Sequence, residues 1–281
     1  MTGLPPAQPG AAHALGSAAD SLLNLLFPPR CIICESLGGL DCLCTQCIEK
    51  IEPVDSPACQ TCGLTMTPHG EQVRLDTQSP SDRRRRRPST AHLIDPSIPA
   101  PHFCPHCSER TPAFDKAGSL GAYRGVLRDA IHHLKYRDKP QLARPLAALL
   151  ADYARSNAAM FNNLQFDAIL AVPMHSTRKK QRGYNQAERL AAVFCKETGI
   201  KQEHGLVRRS RTTRSQVGLS ATERIANMTD AFIVIDPGRT TGKTYLILDD
   251  VLTTGSTLNS CAQVLKTSGA KAVFCLTLAA D

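Results

Sequence analysis

Tryptophan is absent from the 281-residue chain, and aromatic residues make up only 5% of it. Little surface is therefore available for stacking the bases of a single strand, and any contact with nucleic acid would rest on charge. Long apolar runs are also missing. The stretch around Leu146 to Ala151 stops well short of a membrane span, and Met1 to Gly10 lacks the basic start of a secretory signal. The expectation is a cytoplasmic protein with no membrane span. Acidic residues are in deficit: 33 Lys and Arg against 25 Asp and Glu give a formal charge of +8, with five positive charges in the single run Arg83 to Arg87. This balance favours an anionic partner, either a phosphorylated small molecule or nucleic acid, without choosing between them.

Cysteine, by contrast, is abundant. Nine of the twelve fall between Cys31 and Cys107, and eight of those form four C-x-x-C pairs: Cys31/Cys34, Cys44/Cys47, Cys59/Cys62 and Cys104/Cys107. Without an export signal, such pairs read as metal knuckles rather than disulfides. Two thiolates at this spacing fold around one ion and a second pair completes a tetrahedron, so eight ligands imply two zinc ions. Sequential pairing joins the first two knuckles and the last two; interleaved pairing stays open. Cys42 is a competing ligand, with His69, His102 and His106 as weaker substitutes. Four thiolates leave no open coordination position, so the zinc would be structural. It would add about 10–16 kcal/mol per site to a segment too small to build its own core. Ribbons of this kind serve as scaffold or as recognition surfaces for DNA or a partner protein. Cys195, Cys261 and Cys275 lie in apolar, periodic surroundings and read as core thiols.

A chain of this length with 42% hydrophobic content suits one α/β domain and a smaller module. Residues 1–29 read as an extension with a short helix from Ala18 to Phe27, stopped by Pro28 and Pro29. Residues 30–110 hold the knuckles, interrupted at about 64–103 by a disordered, Arg-rich insertion. Residues 111–281 alternate between strands and helices. Strands are predicted near Leu120 to Tyr123, Ala168 to Val172, Phe232 to Ile235, Tyr245 to Leu248 and Ala272 to Leu278. Helices are predicted over Val126 to Lys135, Gln141 to Tyr153, Tyr184 to Lys196, Ala221 to Asn227 and Ser256 to Thr267. That alternation implies an α/β fold with a mostly parallel sheet.

The most informative segment is YLILDDVLTTGST, Tyr245 to Thr257. An apolar run ends in two carboxylates, Asp249 and Asp250, at the strand end where open α/β sheets bind ligands. Thr253, Thr254, Gly255, Ser256 and Thr257 then supply hydroxyls and closely spaced N–H groups ahead of a helix whose positive end suits a phosphate. A helix cap would need only one such acid, and two at a buried strand end are costly without a ligand, cation or partner.

This segment resembles the 5-phosphoribosyl-1-diphosphate (PRPP) signature of the type I phosphoribosyltransferases. The resemblance implies that Asp249 and Asp250 hold the ribose hydroxyls and that Thr253 to Thr257 cradle the 5′-phosphate. It also implies a magnesium ion with the PRPP, and a diphosphate loop after an earlier strand, here Arg178, Lys179, Lys180 and Arg182 within ILAVPMHSTRKKQRGYNQ. A further segment, Arg208 to Gln216, would close over the site as a lid. The order of knuckles, YRGVLRDAIHHLKYRD, RGYNQ, RTTRSQVGLSATERIANMTDAF and ILDDVLTTGST is similar to the ComF (ComFC-like) family, double zinc ribbons joined to a phosphoribosyltransferase-like domain. Membership implies a part in natural competence and the handling of incoming single-stranded DNA, with competence proteins as partners. Whether it also implies a glycosyl transfer to some acceptor, or a non-catalytic ligand-sensing or DNA-binding protein on the same fold, stays open at this point.

Overall fold

The computed structural model describes residues 30–37, 42–55, 58–66, 103–136, 139–210 and 231–281. The helix expected at Ala18 to Phe27, the Arg83 to Arg87 run, the helix expected at Ala221 to Asn227 and most of the expected lid lie outside them. In chain order the elements are α1 (Thr45–Glu49), α2 (Pro105–Glu109), β1 (Lys116–Ala122), α3 (Gly125–Tyr136), α4 (Ala143–Ser156), β2 (Ala168–Ala171), α5 (Ser176–Arg182), α6 (Gln186–Thr198), β3 (Val207–Arg209), β4 (Phe232–Val234), β5 (Thr244–Leu252), α7 (Ser256–Thr267) and β6 (Ala272–Ala280).

Strands β1, β6, β5 and β2 lie in that order, and every neighbouring pair is parallel. Such a sheet needs cover on both faces, and the sequence of β5 provides for it. Tyr245 and Ile247 enter one core cluster, with Leu258, Cys261, Ala262 and Leu265 of α7. Leu246 and Leu248 enter the other, with α3, α4 and α6. In α4 the buried positions Leu146, Ala147, Leu150, Ala151 and Ala154 form one stripe at helical spacing. Helix α6 begins where the Asn185 side chain accepts from the Ala187 N–H at 3.0 Å.

The cysteine knuckles are continuous with this core. Cys31, Cys44 and Cys47 belong to the cluster on the α3 and α4 face, whereas Cys59, Cys62, Cys104 and Cys107 belong to the cluster on the α7 face. Backbone just after the first group, and within the Cys59/Cys62 knuckle of the second, reaches the outer edge of β1. Ala122 N–H donates to Glu52 O at 2.9 Å and Ala117 N–H to Thr61 O at 2.7 Å. Gly121 makes this approach possible, since a Cβ there would sit 2.5 Å from Glu52 O. Arg124 adds ion pairs to Glu52 and Asp55 at 2.5 and 2.9 Å. Exposed pairs of this kind contribute about 0–1 kcal/mol, so burial and backbone pairing carry the attachment.

Three expectations are corrected. The strand at Phe232 does not join the parallel sheet: β4 pairs antiparallel with β3 in a separate two-stranded ribbon. Arg208 and Arg209 are consequently strand residues rather than part of a loose lid. The basic stretch expected as a loop is the seven-residue helix α5, stopped by Gly183 in the left-handed conformation.

Candidate functional site

Parallel pairing of β2 with β5 brings the two halves of the site together. Ala171 lies opposite Leu248, and Val172 N–H donates to Leu248 O at 2.9 Å, so the chain leaving β2 passes beside Asp249 and Asp250. The helices that follow these adjacent strands pack on opposite faces, α6 on one and α7 on the other, and this divergence opens a crevice at the carboxyl ends.

The two acids do not share an environment. Successive strand residues point to opposite faces. Asp250 is buried on the α3 and α6 side, where Lys135 Nζ stands 2.6 Å from its Oδ1 and Gln186 Nε2 donates to its Oδ2 at 2.5 Å. The Lys135 and Asp250 side chains are 17% and 7% exposed, so neither charge is well solvated alone. Burial works against the Lys135 ammonium, but the Asp250 carboxylate, with Asp249 behind it, outweighs that and holds its pKa above the ordinary value. Asp249 lies on the other side and takes the Asp250 N–H on its Oδ1 at 2.8 Å. Burial, reinforced by the charge of Asp250, pushes its pKa up to about 7, against the pull of Lys135 and Arg209. Arg209 also lies over the Phe232 ring, 5.5 Å from its centre.

The turn after β5 is formed as the sequence implied. Gly255 has φ +71°, a left-handed conformation in which a side chain would be strained, and it serves as N-cap of α7 without any side-chain cap. Neither acid caps that helix. The Thr254 and Ser256 hydroxyls are 3.0 Å apart, and Asn259 N–H closes the first turn onto Gly255 O at 2.8 Å. Thr253 and Thr257 flank the turn and are partly exposed. A cavity of about 250 Å³ separates the turn from the second cysteine cluster, with Thr254 and Asn259 on one side and His106, Cys107 and Arg110 on the other.

On α5, the four basic residues are not equivalent. Lys179 pairs with Glu188 at 2.8 Å, Arg178 is partly exposed and Lys180 is exposed. Arg182 donates to Gln186 Oε1 at 2.7 Å and lies over the Tyr136 ring at 4.9 Å from its centre. Each residue of the RGYNQ motif thereby has a place. Arg182 and Gln186 reach toward Asp250, Gly183 ends α5, the Tyr184 hydroxyl donates to Leu134 O, and Asn185 donates to Val172 O at 3.0 Å while capping α6. Lys135 and Gln186 are the site residues to which the sequence alone assigned no role, whereas Arg209 stood within the expected lid. Both stand inside motifs that the family resemblance rests on, LKYRD for Lys135 and RGYNQ for Gln186, and that was their only signal.

The cysteines settle into two sets of four, Cys31/Cys34/Cys44/Cys47 and Cys59/Cys62/Cys104/Cys107, with all sulfurs of each set within 4.8 Å of one another. Pairing is therefore sequential, and Cys42 stays outside. A tetrahedron with zinc–sulfur bonds of about 2.3 Å has S···S edges of about 3.8 Å. Observed edges are 3.7 Å for Cys31 to Cys47, 3.5 Å for Cys34 to Cys44 and 3.8 Å for Cys62 to Cys104, so both sets fit zinc. Burial pushes the thiols of Cys195, Cys261 and Cys275 up, as expected of core residues. Among the described residues, no helix is long and apolar enough to cross a membrane.

Comparison with known proteins agrees with this geometry. Residues 22–76 match the double zinc ribbon domain model, and residues 136–281, just over half of the chain, match the phosphoribosyl transferase domain model. The chain is 32% identical to competence protein F of Haemophilus influenzae over 172 residues, covering 60% of this chain and 75% of that one. It is 33% identical over 185 residues to the DNA utilization protein YhgH of Escherichia coli K12, covering 64% and 80%. Competence protein ComFC of Bacillus subtilis aligns more weakly but further, at 20% identity over 258 residues, covering 85% and 89%.

Proposed function

The chain belongs to the competence protein F family, a double zinc ribbon with a phosphoribosyl transferase domain, and from that premise we propose that it binds PRPP with magnesium and acts in handling single-stranded DNA during competence. The observation that carries the ligand is the crevice at the carboxyl end of β5, where two carboxylates, an uncapped helix start and a basic helix converge. In this reading residues 30–110 form the ribbon and residues 111–281 the phosphoribosyl-binding domain.

Asp249 and Asp250 hold the ribose 2′ and 3′ hydroxyls, one from each side of β5. Thr253, Thr254, Gly255, Ser256 and Thr257 take the 5′-phosphate on hydroxyls and backbone N–H groups, a preorganised setting for an anion. Arg178, Lys179, Lys180 and Arg182 face the diphosphate. Both oxygens of Asp250 are engaged by Lys135 and Gln186, so the donors of this chain suit a magnesium ion carried on the diphosphate. That ion supplies charge neutralisation. For a transfer, the bond from ribose C1 to the diphosphate oxygen breaks with its electron pair on the leaving group, while the acceptor's nucleophilic atom bonds to C1 and gives up its proton. The chain's share of this is positioning and electrostatics.

Calorimetric titration of PRPP with Mg²⁺ tests the reading. The parent protein should give saturable heat, and Asp249→Asn with Asp250→Asn should lose it while the zinc content and the cooperative fold stay, at a melting temperature lowered by the loss of the buried Lys135–Asp250 pair. Equal affinity in both proteins would remove the site. Release of diphosphate in the presence of candidate acceptors separates a transferase from a protein that only senses the ligand.

A further inference from the structure

One closed ring of contacts ties the ribose side of the crevice to the diphosphate side. Lys135 and Tyr136 are consecutive residues at the end of α3. The first places its ammonium on Asp250 Oδ1, and the second presents its ring to the Arg182 guanidinium. Arg182 donates to Gln186 Oε1, and Gln186 Nε2 donates to Asp250 Oδ2, which returns to the start. The Gln186 amide has one orientation in which both contacts are hydrogen bonds. Asp250 only accepts and Arg182 only donates, so a flipped amide would oppose like groups at both ends. Gln186 and Asp250 are both buried, so a broken contact here would leave a polar group without water to replace it.

We propose that Gln186 is a positioning residue that couples the two halves of the site, passing the state of Arg182 to Asp250 and back through its amide. A diphosphate group pulling on Arg182 changes the hydrogen bond at Gln186 Oε1, and so the hold on Asp250 against the ribose. Lys135 and Tyr136 close the ring from α3, which makes the ribose and diphosphate contacts one unit rather than two. This assignment rests on the phosphoribosyl reading and adds to it a reason for the glutamine.

Two fragments of the ligand test the coupling: ribose 5-phosphate for one half, inorganic diphosphate with Mg²⁺ for the other. In the parent protein each should tighten the other's binding by about tenfold, a reciprocity that linkage requires. Gln186→Leu should still bind both fragments but with mutual enhancement below about twofold, at unchanged zinc content. Tyr136→Leu alters a residue that is 58% exposed and cannot threaten the core, and it should cut the enhancement by about threefold. Binding of both fragments without mutual effect in the parent protein, or undiminished enhancement in Gln186→Leu, overturns the coupling and leaves the phosphoribosyl reading standing. Failure of ribose 5-phosphate to bind the parent protein overturns both.

Discussion

Asp249 and Asp250 are adjacent in sequence and opposite in circumstance. Asp250 is neutralised by Lys135 and held by Gln186, and removing one partner of a buried pair typically costs about 3–5 kcal/mol. Asp249 accepts the Asp250 N–H on its Oδ1, and burial beside Asp250 raises its pKa to about 7 against the pull of Lys135 and Arg209. Below that pH it is neutral and above it ionised. A raised carboxylate pKa favours the folded, ligand-free state at low pH, and this contribution fades as pH rises through 7. Ribose hydroxyls are accepted more strongly by the ionised form, so PRPP affinity should increase between pH 6 and 8 and then level. Phosphate groups on the ligand titrate in the same range, and Asp249→Asn supplies the control. The parent protein should show a slope steeper by up to about tenfold per pH unit below 7. Parallel slopes in the two proteins would show that Asp249 does not titrate there.

Which elements could be read in advance follows from how each is stabilised. Strand β5 and helix α7 carry dense apolar patterning, so Tyr245 to Leu248 and Ser256 to Thr267 were legible, as was the turn between them. Helix α5 has no buried residue, and a run such as RKKQR gives periodicity nothing to detect. Strands β3 and β4 are three residues each, with Ile233 in β4 and Ile235 just beyond it exposed, and the parallel sheet predicted around them belongs to longer, doubly covered strands. The contacts of Gln186 and Lys135 with Asp250 join elements far apart in sequence, and no local pattern encodes such a meeting. The two zinc sets were legible because ligand spacing is local, but their pairing needed three dimensions. The attachment of the ribbon to β1 is an element-scale feature of the same hidden kind. Gly121→Ala should force Glu52 away from the edge and destabilise the protein by about 1–3 kcal/mol in urea unfolding. An unchanged midpoint would mean that the segment gives way freely.

At the scale of the whole molecule, the zinc ribbons grip the sheet at one border. One cysteine set joins the core on each face, and the backbone at Glu52 and Thr61 hydrogen-bonds along β1. The sheet therefore has an N-terminal border made by the cysteine ribbon, and stripping zinc with a chelator should be felt in the phosphoribosyl transferase domain as well as in the ribbon. Structural zinc binding of about 10–16 kcal/mol per site is large beside the 5–15 kcal/mol by which a domain is usually stable.

The same border has a bearing on time. On its other side β1 pairs with β6, the last strand of the chain. During synthesis at about 5–20 residues per second, β1 waits on the order of ten seconds or more for that partner. Through this interval an unclaimed strand is open to pairing with other nascent chains. The ribbon precedes β1 in the sequence and can be complete as soon as zinc reaches it, so it can shelter one side of the strand while the other is still unmade. The order in which metal and partner arrive should then decide yield. Dilution from denaturant into zinc should return soluble protein with two zinc ions per chain, whereas the same zinc added after dilution should find much of the chain already aggregated. Equal recovery by both routes would show that β1 needs no guardian while the full chain refolds.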